Sequence, residues 1–453
     1  MTSFHDFALP AAVRQKLTDQ GITSPFPIQV ATLPDTLAGK DVLGRGQTGS
    51  GKTLAFALPM VTRLAASSTK RPVRRPRALV LCPTRELANQ INATVEPLAR
   101  ALGLVTTVIF GGVAQGRQVS ALNGGVDIVI ACPGRLEDLL KQKVLTLDCI
   151  EITVLDEADH MADLGFLPGV KRIMAKTPRR GQRMLFSATL DNGVDELVER
   201  YLDRPAVHSV DSAQSPVSAM THHIFAVPDA ATKYAVVSHL ASGEGRRVLF
   251  TRTKHEAKNL AKALTAQGIP AVELQGNLAQ NARERNLEAF SSGVVKVLVA
   301  TDVAARGIHV DGIELVVHVD PPAEHKSYLH RSGRTARAGQ GGDVVTIMLP
   351  EQHGEVRDLT RLAKISAKPQ PVSAGDAVIK RLVGEVAAYV RPSGKTGSGQ
   401  AARSARASGA SGANAGSSTA TAPAGAGSAS GGARPARSGI ASKSKRAGGQ
   451  RRG

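Results

Sequence analysis

Short apolar runs alternate with helix-like stretches along most of the chain. One series comprises Ala78 to Cys82, Val105 to Phe110, Ile128 to Ala131, Ile152 to Leu155 and Met184 to Phe186. A second comprises Val248 to Phe250, Ala271 to Leu274, Val297 to Ala300, Leu315 to Val319 and Val344 to Leu349. Runs this short and this apolar fit strands buried on both faces. Alternating with helices, they predict parallel sheets covered on both sides. Two series predict two α/β domains, and 453 residues are too many for one hydrophobic core. The break is expected near Ser209 to Met220, where Val210-Asp211-Ser212-Ala213-Gln214-Ser215-Pro216 has no periodicity and reads as a linker. The expected organisation is a first domain at 1–208, a linker at 209–220, a second domain at 221–368 and an extension at 369–453.

From about Arg391 the pattern gives way to Gly, Ala, Ser, Arg and Lys, with no acidic or aromatic residue. Such a segment buries too little apolar surface to offset its ordering entropy, so a disordered basic tail is expected. It carries eleven basic residues, more than half of the net charge of +19. Clustered basic charge favours a salt-sensitive tether to nucleic acid; the alternative is a solubilising extension with no defined task. The whole chain, with a pI near 10.2, points to a polyanionic partner.

An anionic membrane would also suit basic charge, but no apolar run is long enough to span one. Met1-Thr2-Ser3-Phe4-His5-Asp6 does not read as a secretory n-region, so a cytoplasmic protein is expected. Cys82, Cys132 and Cys149 lack metal-binding spacing and are expected to be buried, small and reduced. Aromatic residues make up only 3% of the chain, with no Trp. That scarcity argues against gripping nucleic acid by base stacking and for contact with the sugar-phosphate backbone.

Gly46-Gln47-Thr48-Gly49-Ser50-Gly51-Lys52-Thr53 has the form GxxxxGKT, after the apolar Val42-Leu43 and before the helix-like Leu54-Ala55-Phe56-Ala57-Leu58. Strand, glycine loop and helix is the context a phosphate-binding loop requires. Its amides would turn inward around phosphate, with Lys52 reaching the β- and γ-phosphates and Thr53 ligating Mg²⁺. A surface turn rich in Gly and Ser is the bland alternative, and the flanking pattern disfavours it. Ile152-Thr153-Val154-Leu155 then ends in Asp156-Glu157-Ala158-Asp159. A carboxylate at such a strand tip holds the metal, which assigns Asp156, and its neighbour Glu157 orients and deprotonates water. Alone, this acidic stretch is equally an acidic helix start; the glycine loop gives it weight.

Ligands of open parallel sheets meet the carboxyl ends of the strands. There stand Thr84 and Arg85, Gly111-Gly112, Pro133-Gly134-Arg135, Ser187-Ala188-Thr189, Thr251-Arg252-Thr253-Lys254 and Thr301-Asp302. Gly admits close backbone approach, while Arg and Thr donate to phosphates. Each segment alone could be an ordinary turn. His330-Arg331-Ser332-Gly333-Arg334-Thr335-Ala336-Arg337 packs three arginines into a short stretch of the second half. A guanidinium inserted at a phosphoryl transition state is worth roughly 10³–10⁵ in rate. Such arginines would complete the glycine-loop site only when the domains close, coupling ATP and nucleic acid.

With these motifs in this order, residues 1–370 resemble the DEAD-box ATP-dependent RNA helicases in their minimal bacterial form. The resemblance implies two tandem RecA-like domains. Gly21 to Gln29 resembles the family's Q motif, with Phe4 as the upstream aromatic, and implies that Gln29 reads adenine. It further implies that Ser187 and Thr189 couple hydrolysis to strand separation, that Arg334 and Arg337 are arginine fingers and that Arg331 supports the interdomain network. Thr84, Arg85, Gly112, Arg135, Arg283 and Thr301 fall on RNA-backbone positions. Five residues depart from the usual pattern: Ile22 for an adenine-stacking aromatic, Cys132 for Thr, Gln275 for His, His309 for Asp and Ala336 for Gly.

The expected function is RNA-stimulated ATP hydrolysis that unwinds short RNA duplexes, with ATP and Mg²⁺ as ligands, RNA of no fixed sequence as substrate and a monomer as working form. An ATP-gated RNA clamp with incidental unwinding is the alternative, and a DNA translocase a further one. The resemblance permits ribosome assembly, RNA decay and cold adaptation equally.

Overall fold

The alternating runs fold into two seven-stranded sheets with every strand pair parallel. The computed structural model describes residues 2–392 apart from 47–48, 70, 72, 192, 211–219, 306–309, 311 and 337–340. The unpatterned linker core and the basic tail therefore lie outside the described residues, as do Gln47, Thr48, His309 and Arg337.

The first sheet contains β1 (Val42–Arg45), β2 (Ala78–Leu81), β3 (Thr106–Ile109), β4 (Ile128–Ala131), β5 (Ile152–Asp156), β6 (Gln182–Ser187) and β7 (Ala206–Ser209). Their spatial order is β3-β4-β2-β5-β6-β1-β7. The second contains β8 (Met220–Ala226), β9 (Arg246–Phe250), β10 (Ala271–Leu274), β11 (Val297–Ala300), β12 (Ile313–His318), β13 (Gly342–Met348) and β14 (Pro369–Pro371). Its order, β10-β11-β9-β12-β13-β8-β14, is the first order advanced by seven. The chain winds the same topology twice, although no sequence repeat announces it.

Period-two burial explains the layering. On β2, Ala78 and Val80 enter one core while Leu79 and Leu81 enter the opposite one. On β11, Val297 and Val299 face one side and Leu298 and Ala300 the other. Each fully buried Leu or Val contributes about 1.5–3 kcal/mol relative to exposure.

Three strands escaped the apolar-run reading. β7 is half exposed, β8 carries His222 and His223, and β14 is a three-residue edge bracketed by prolines. The extension is ordered in its first part, ahead of the basic stretch that begins near Arg391. Strand β14 pairs with β8, and helix Ala377–Val383 is held by Arg247, whose Nη2 donates to Val383 O at 2.6 Å. The cysteines differ from expectation: Cys82 is buried, but Cys132 and Cys149 are partly exposed.

Candidate active site

Strand order sorts the motifs of the first half into two neighbouring groups along the carboxyl edge of its sheet. The glycine loop follows β1, the acidic tip ends β5, and Ser187 ends β6, which lies between them. Gly112, Arg135 and Thr84-Arg85 follow β3, β4 and β2, three adjacent strands.

The helix Lys52–Ala66 starts at Gly51, whose φ of +87° suits glycine alone, and no side chain caps it. The helix after β2 is capped instead, Thr84 Oγ1 accepting from Leu87 N. A helix N-terminus without a side-chain cap carries amide donors and a partial positive charge that suit an anion. Lys52 is buried and its Nζ donates to Gly46 O at 2.6 Å. Gln29 is fully buried; its Nε2 donates to Gly51 O at 2.9 Å and its Oε1 accepts from Phe26 N at 2.9 Å. The carboxamide thus ties the Q-motif turn to the glycine loop, which the sequence did not suggest.

Asp156 and Glu157 are adjacent but electrostatically unlike. Burial pushes the Asp156 carboxyl up to about 7 against the opposing charge of Lys52. Burial acts the same way on Glu157, yet a hydrogen bond from His160 and the charges of His160, Lys52 and Arg334 hold it at about 2. Glu157 is also non-glycine backbone at φ +51°, a left-handed turn that costs of order 1 kcal/mol and aims the carboxylate off the strand tip. Its Oε2 lies 3.1 Å from His160 Nδ1.

Ser187 and Thr189 meet at Asp159. Ser187 Oγ accepts from Asp159 N at 3.2 Å and donates to Thr189 O at 2.7 Å, while Asp159 Oδ2 accepts from Thr189 N at 3.1 Å. Sequence reasoning quoted Asp159 without a role; its position one residue past Ala158 was the available signal.

On the other group, Gly112 at φ +77° lets Arg85 approach so closely that a Cβ there would lie 2.2 Å from its guanidinium. Arg135 Nη2 donates to Val113 O at 3.1 Å, and its buried Nη1 has no protein partner. Arg85 Nη1 donates to Gln280 Oε1 at 3.1 Å and Arg283 Nε to Glu86 Oε1 at 2.7 Å, both across the two halves. Arg283 Nη1 is taken by Gln275 O, so its guanidinium joins the halves instead of standing open to a phosphate. Nothing in the sequence marked Gln280 as the counterpart of Arg85 or Glu86 as that of Arg283.

In the second half Arg331 is buried, paired with Asp302 (Nη2 to Oδ2, 2.7 Å), bonded to Asp320 O and stacked 5.2 Å over Phe250. All these contacts are within that half. Thr301 O starts the short helix Asp302–Ala305 by accepting from Ala304 and Ala305 N. Arg334 is buried, donates to His330 O at 3.2 Å and acts on Glu157 of the other half through its charge. No cluster of three metal-ligating side chains occurs among the described residues.

Family profiles described as DEAD/DEAH box helicase and helicase conserved C-terminal domain match residues 26–197 and 232–339. The chain is 39% identical over 356 residues to the ATP-dependent RNA helicase RhlB of Sodalis glossinidius, covering 77% of this chain and 85% of that one. The chain belongs to the DEAD-box RNA helicase family. RhlB of Xanthomonas axonopodis pv. citri is 38% identical over 379 residues, 82% of this chain; the match spans 66% of that relative's length. Among solved DEAD-box folds, S. cerevisiae Dbp5 bound to RNA and ADP BeF3 superposes with a TM-score of 0.72 at 26% identity, covering 84% of this chain and all of that one. Two RecA-like sheets in tandem are thus the family fold. No helix among the described residues is long and apolar enough to cross a membrane.

Proposed function

We propose that this chain hydrolyses ATP in response to RNA and uses domain closure to separate short RNA duplexes. One observation carries the reading: Arg334, from the second half, is close enough to the half-buried Glu157 of the first for its charge to stabilise that carboxylate. Each half supplies part of one phosphoryl-transfer site, so the site is complete only when the halves meet.

The glycine loop, Lys52 and the N-terminus of its helix bind the triphosphate, and Gln29 holds that loop against the Q-motif turn. Asp156 fits a Mg²⁺ ion, since its burial disfavours an uncompensated charge and one or two carboxylates suffice for a metal that keeps its waters. Thr53 would be the second ligand, and the ion would supply charge neutralisation at the phosphates when bound. Glu157 orients the attacking water and takes its proton. Arg334, with Arg337, stabilises the charge that develops on the transferring group.

Thr84, Arg85, Gly112, Arg135 and Thr301 form the RNA side. The unpartnered Arg135 Nη1 supports this, because a phosphate oxygen would satisfy a donor otherwise left buried and unpaired. Backbone contacts make recognition independent of sequence. ATP and RNA both bind the closed arrangement better, and that shared preference is the coupling. Ser187 and Thr189 transmit it through Asp159, which bonds to both and stands two residues past Glu157. The structure of Dbp5 holding RNA and a nucleotide analogue together supports the same arrangement by analogy. The working form is a cytoplasmic monomer.

The testing experiment is strand displacement of a short RNA duplex with ATP, with ADP and without nucleotide. Displacement only with ATP, lost in Glu157→Gln, is expected. Displacement without hydrolysis would favour an ATP-gated clamp, and equal stimulation by DNA a DNA translocase.

A further inference from the structure

Cys82 and Cys132 extend two paired parallel strands at the carboxyl edge of the first sheet. The β2–β4 register runs to Leu81 opposite Ala131, and Cys82 N continues it by donating to Ala131 O at 3.0 Å. Both side chains share one face of the sheet: Cys82 lies in its core with Val80 and Ile130, and Cys132 packs against that core. The register thus sets Cys132 directly opposite Cys82 on the neighbouring strand. Adjacent strands lie about 4.8 Å apart, inside the roughly 4.4–6.8 Å between Cα atoms that a disulfide spans. Cys132 is partly exposed and Cys82 is buried.

We propose that Cys82 and Cys132 form a reversible dithiol–disulfide site, oxidised by a hydroperoxide, that locks the RNA-facing edge of the first sheet. The locking rests on the function proposed above; the cross-link itself does not. Cys132 is the attacking residue because it is the accessible one. Its sulfur attacks the distal peroxide oxygen, the O–O bond breaks, and the alcohol leaves with the thiol proton. Cys132 is then a sulfenic acid. The sulfur of Cys82 attacks Cys132 Sγ, the S–O bond breaks, and hydroxide leaves as water with the Cys82 proton. The two thiols together lose two electrons, and the peroxide is reduced to alcohol and water.

Division of labour follows from the surroundings. Burial, Cys132 and the Asp156 and Glu157 charges push the Cys82 thiol well above its ordinary range. It therefore stays protonated until oxidised sulfur is presented beside it. The bond would tie the start of helix Arg85–Ala101, capped by Thr84, to the start of helix Pro133–Lys141, which carries Arg135, leaving the glycine loop untouched. Partial exposure keeps the bond open to reduction, as regulatory disulfides require.

The test uses the full chain with Cys149→Ser, which leaves only this pair. Treatment with hydrogen peroxide followed by alkylation and peptide mass analysis should reveal a Cys82–Cys132 cross-linked peptide that dithiothreitol removes. RNA-stimulated ATPase should fall at least about fivefold on oxidation and return on reduction. Cys132→Thr in the same background should show neither change relative to its own untreated state. RNA bound beforehand should slow cross-linking. Two fully alkylatable thiols, or sulfinic acid without a cross-link, would overturn the site. A cross-link without loss of RNA stimulation would overturn the lock. If the reduced protein showed no RNA stimulation at all, the helicase reading would fail instead, with the cross-link still decided by mass.

Discussion

Arg283 Nε lies 2.7 Å from Glu86 Oε1, and this buried ion pair joins the carboxyl edges of the two sheets. Neither partner is exposed enough for solvent to screen the pair, so it differs from the surface bridges that contribute little. It ties closure to the turn after β2, the same turn that carries Thr84 and Arg85.

Removing one partner leaves a buried charge alone when the halves meet. Glu86→Ala or Arg283→Ala should therefore raise the RNA concentration needed for half-maximal ATPase at least about tenfold, and the double variant should not be additive. A double-mutant cycle should give a coupling of about 1–3 kcal/mol. Additive effects would place the two residues in separate roles.

Gln29 spends both ends of its carboxamide on backbone, at Phe26 N and Gly51 O. Gln29→Ala should loosen the glycine loop and weaken ATP binding by about 1–3 kcal/mol, the cost of orphaning buried groups. Isothermal titration with a non-hydrolysable ATP analogue measures it. Unchanged affinity would mean that the tie does not support the loop.

How much of this was legible in the chain depends on what kind of signal each feature leaves. Buried strands such as Ile152–Asp156 and Val297–Ala300 announce themselves because both faces are apolar. Edge strand β14 does not, since Pro-Gln-Pro has no apolar pattern and forms only because β8 offers it a partner. Lys52, Asp156 and Glu157 were readable because their chemistry requires fixed spacing from a strand end. The partners of Arg85 and Arg283 were not, because Gln280 and Glu86 are nearly two hundred residues away from them in sequence. Gln29 lay between these cases: the motif was visible, but its tie to Gly51 depends on how a turn and a loop meet.

His318 is fully buried between Tyr328, at 4.7 Å edge-on, and Phe250, and contacts Thr346 Oγ1. Burial, with the charges of Arg331 and His222, pushes its pKa well below the ordinary histidine value. The folded form therefore binds its proton less readily than the unfolded chain. The stability this group contributes is complete above the unfolded value of about 6.5 and declines as pH falls below it, by at most about 1.4 kcal/mol per unit. Thermal melts from pH 8 to 5 should show this decline, flattened in His318→Gln. An identical pH slope in both proteins would remove His318 as its source.

Asp159 bonds to both Ser187 and Thr189, which also bond to each other, two residues past Glu157 in the chain. Asp159→Asn should keep nucleotide and RNA binding within a few-fold while lowering duplex displacement more than ATPase. Parallel assays of both activities on one preparation measure the split. Equal loss of the two would make Asp159 part of the hydrolytic machinery alone.

The claim on which the account stands is that one half's carboxylate and the other half's guanidinium make a single site. Single-turnover ATP hydrolysis with and without saturating RNA, in wild type and Arg334→Ala, tests it most directly. The account predicts strong RNA stimulation in wild type and its loss by a factor of roughly 10³ in the variant, with ATP still bound. Equal rates with and without RNA, and no effect of removing Arg334, would contradict it.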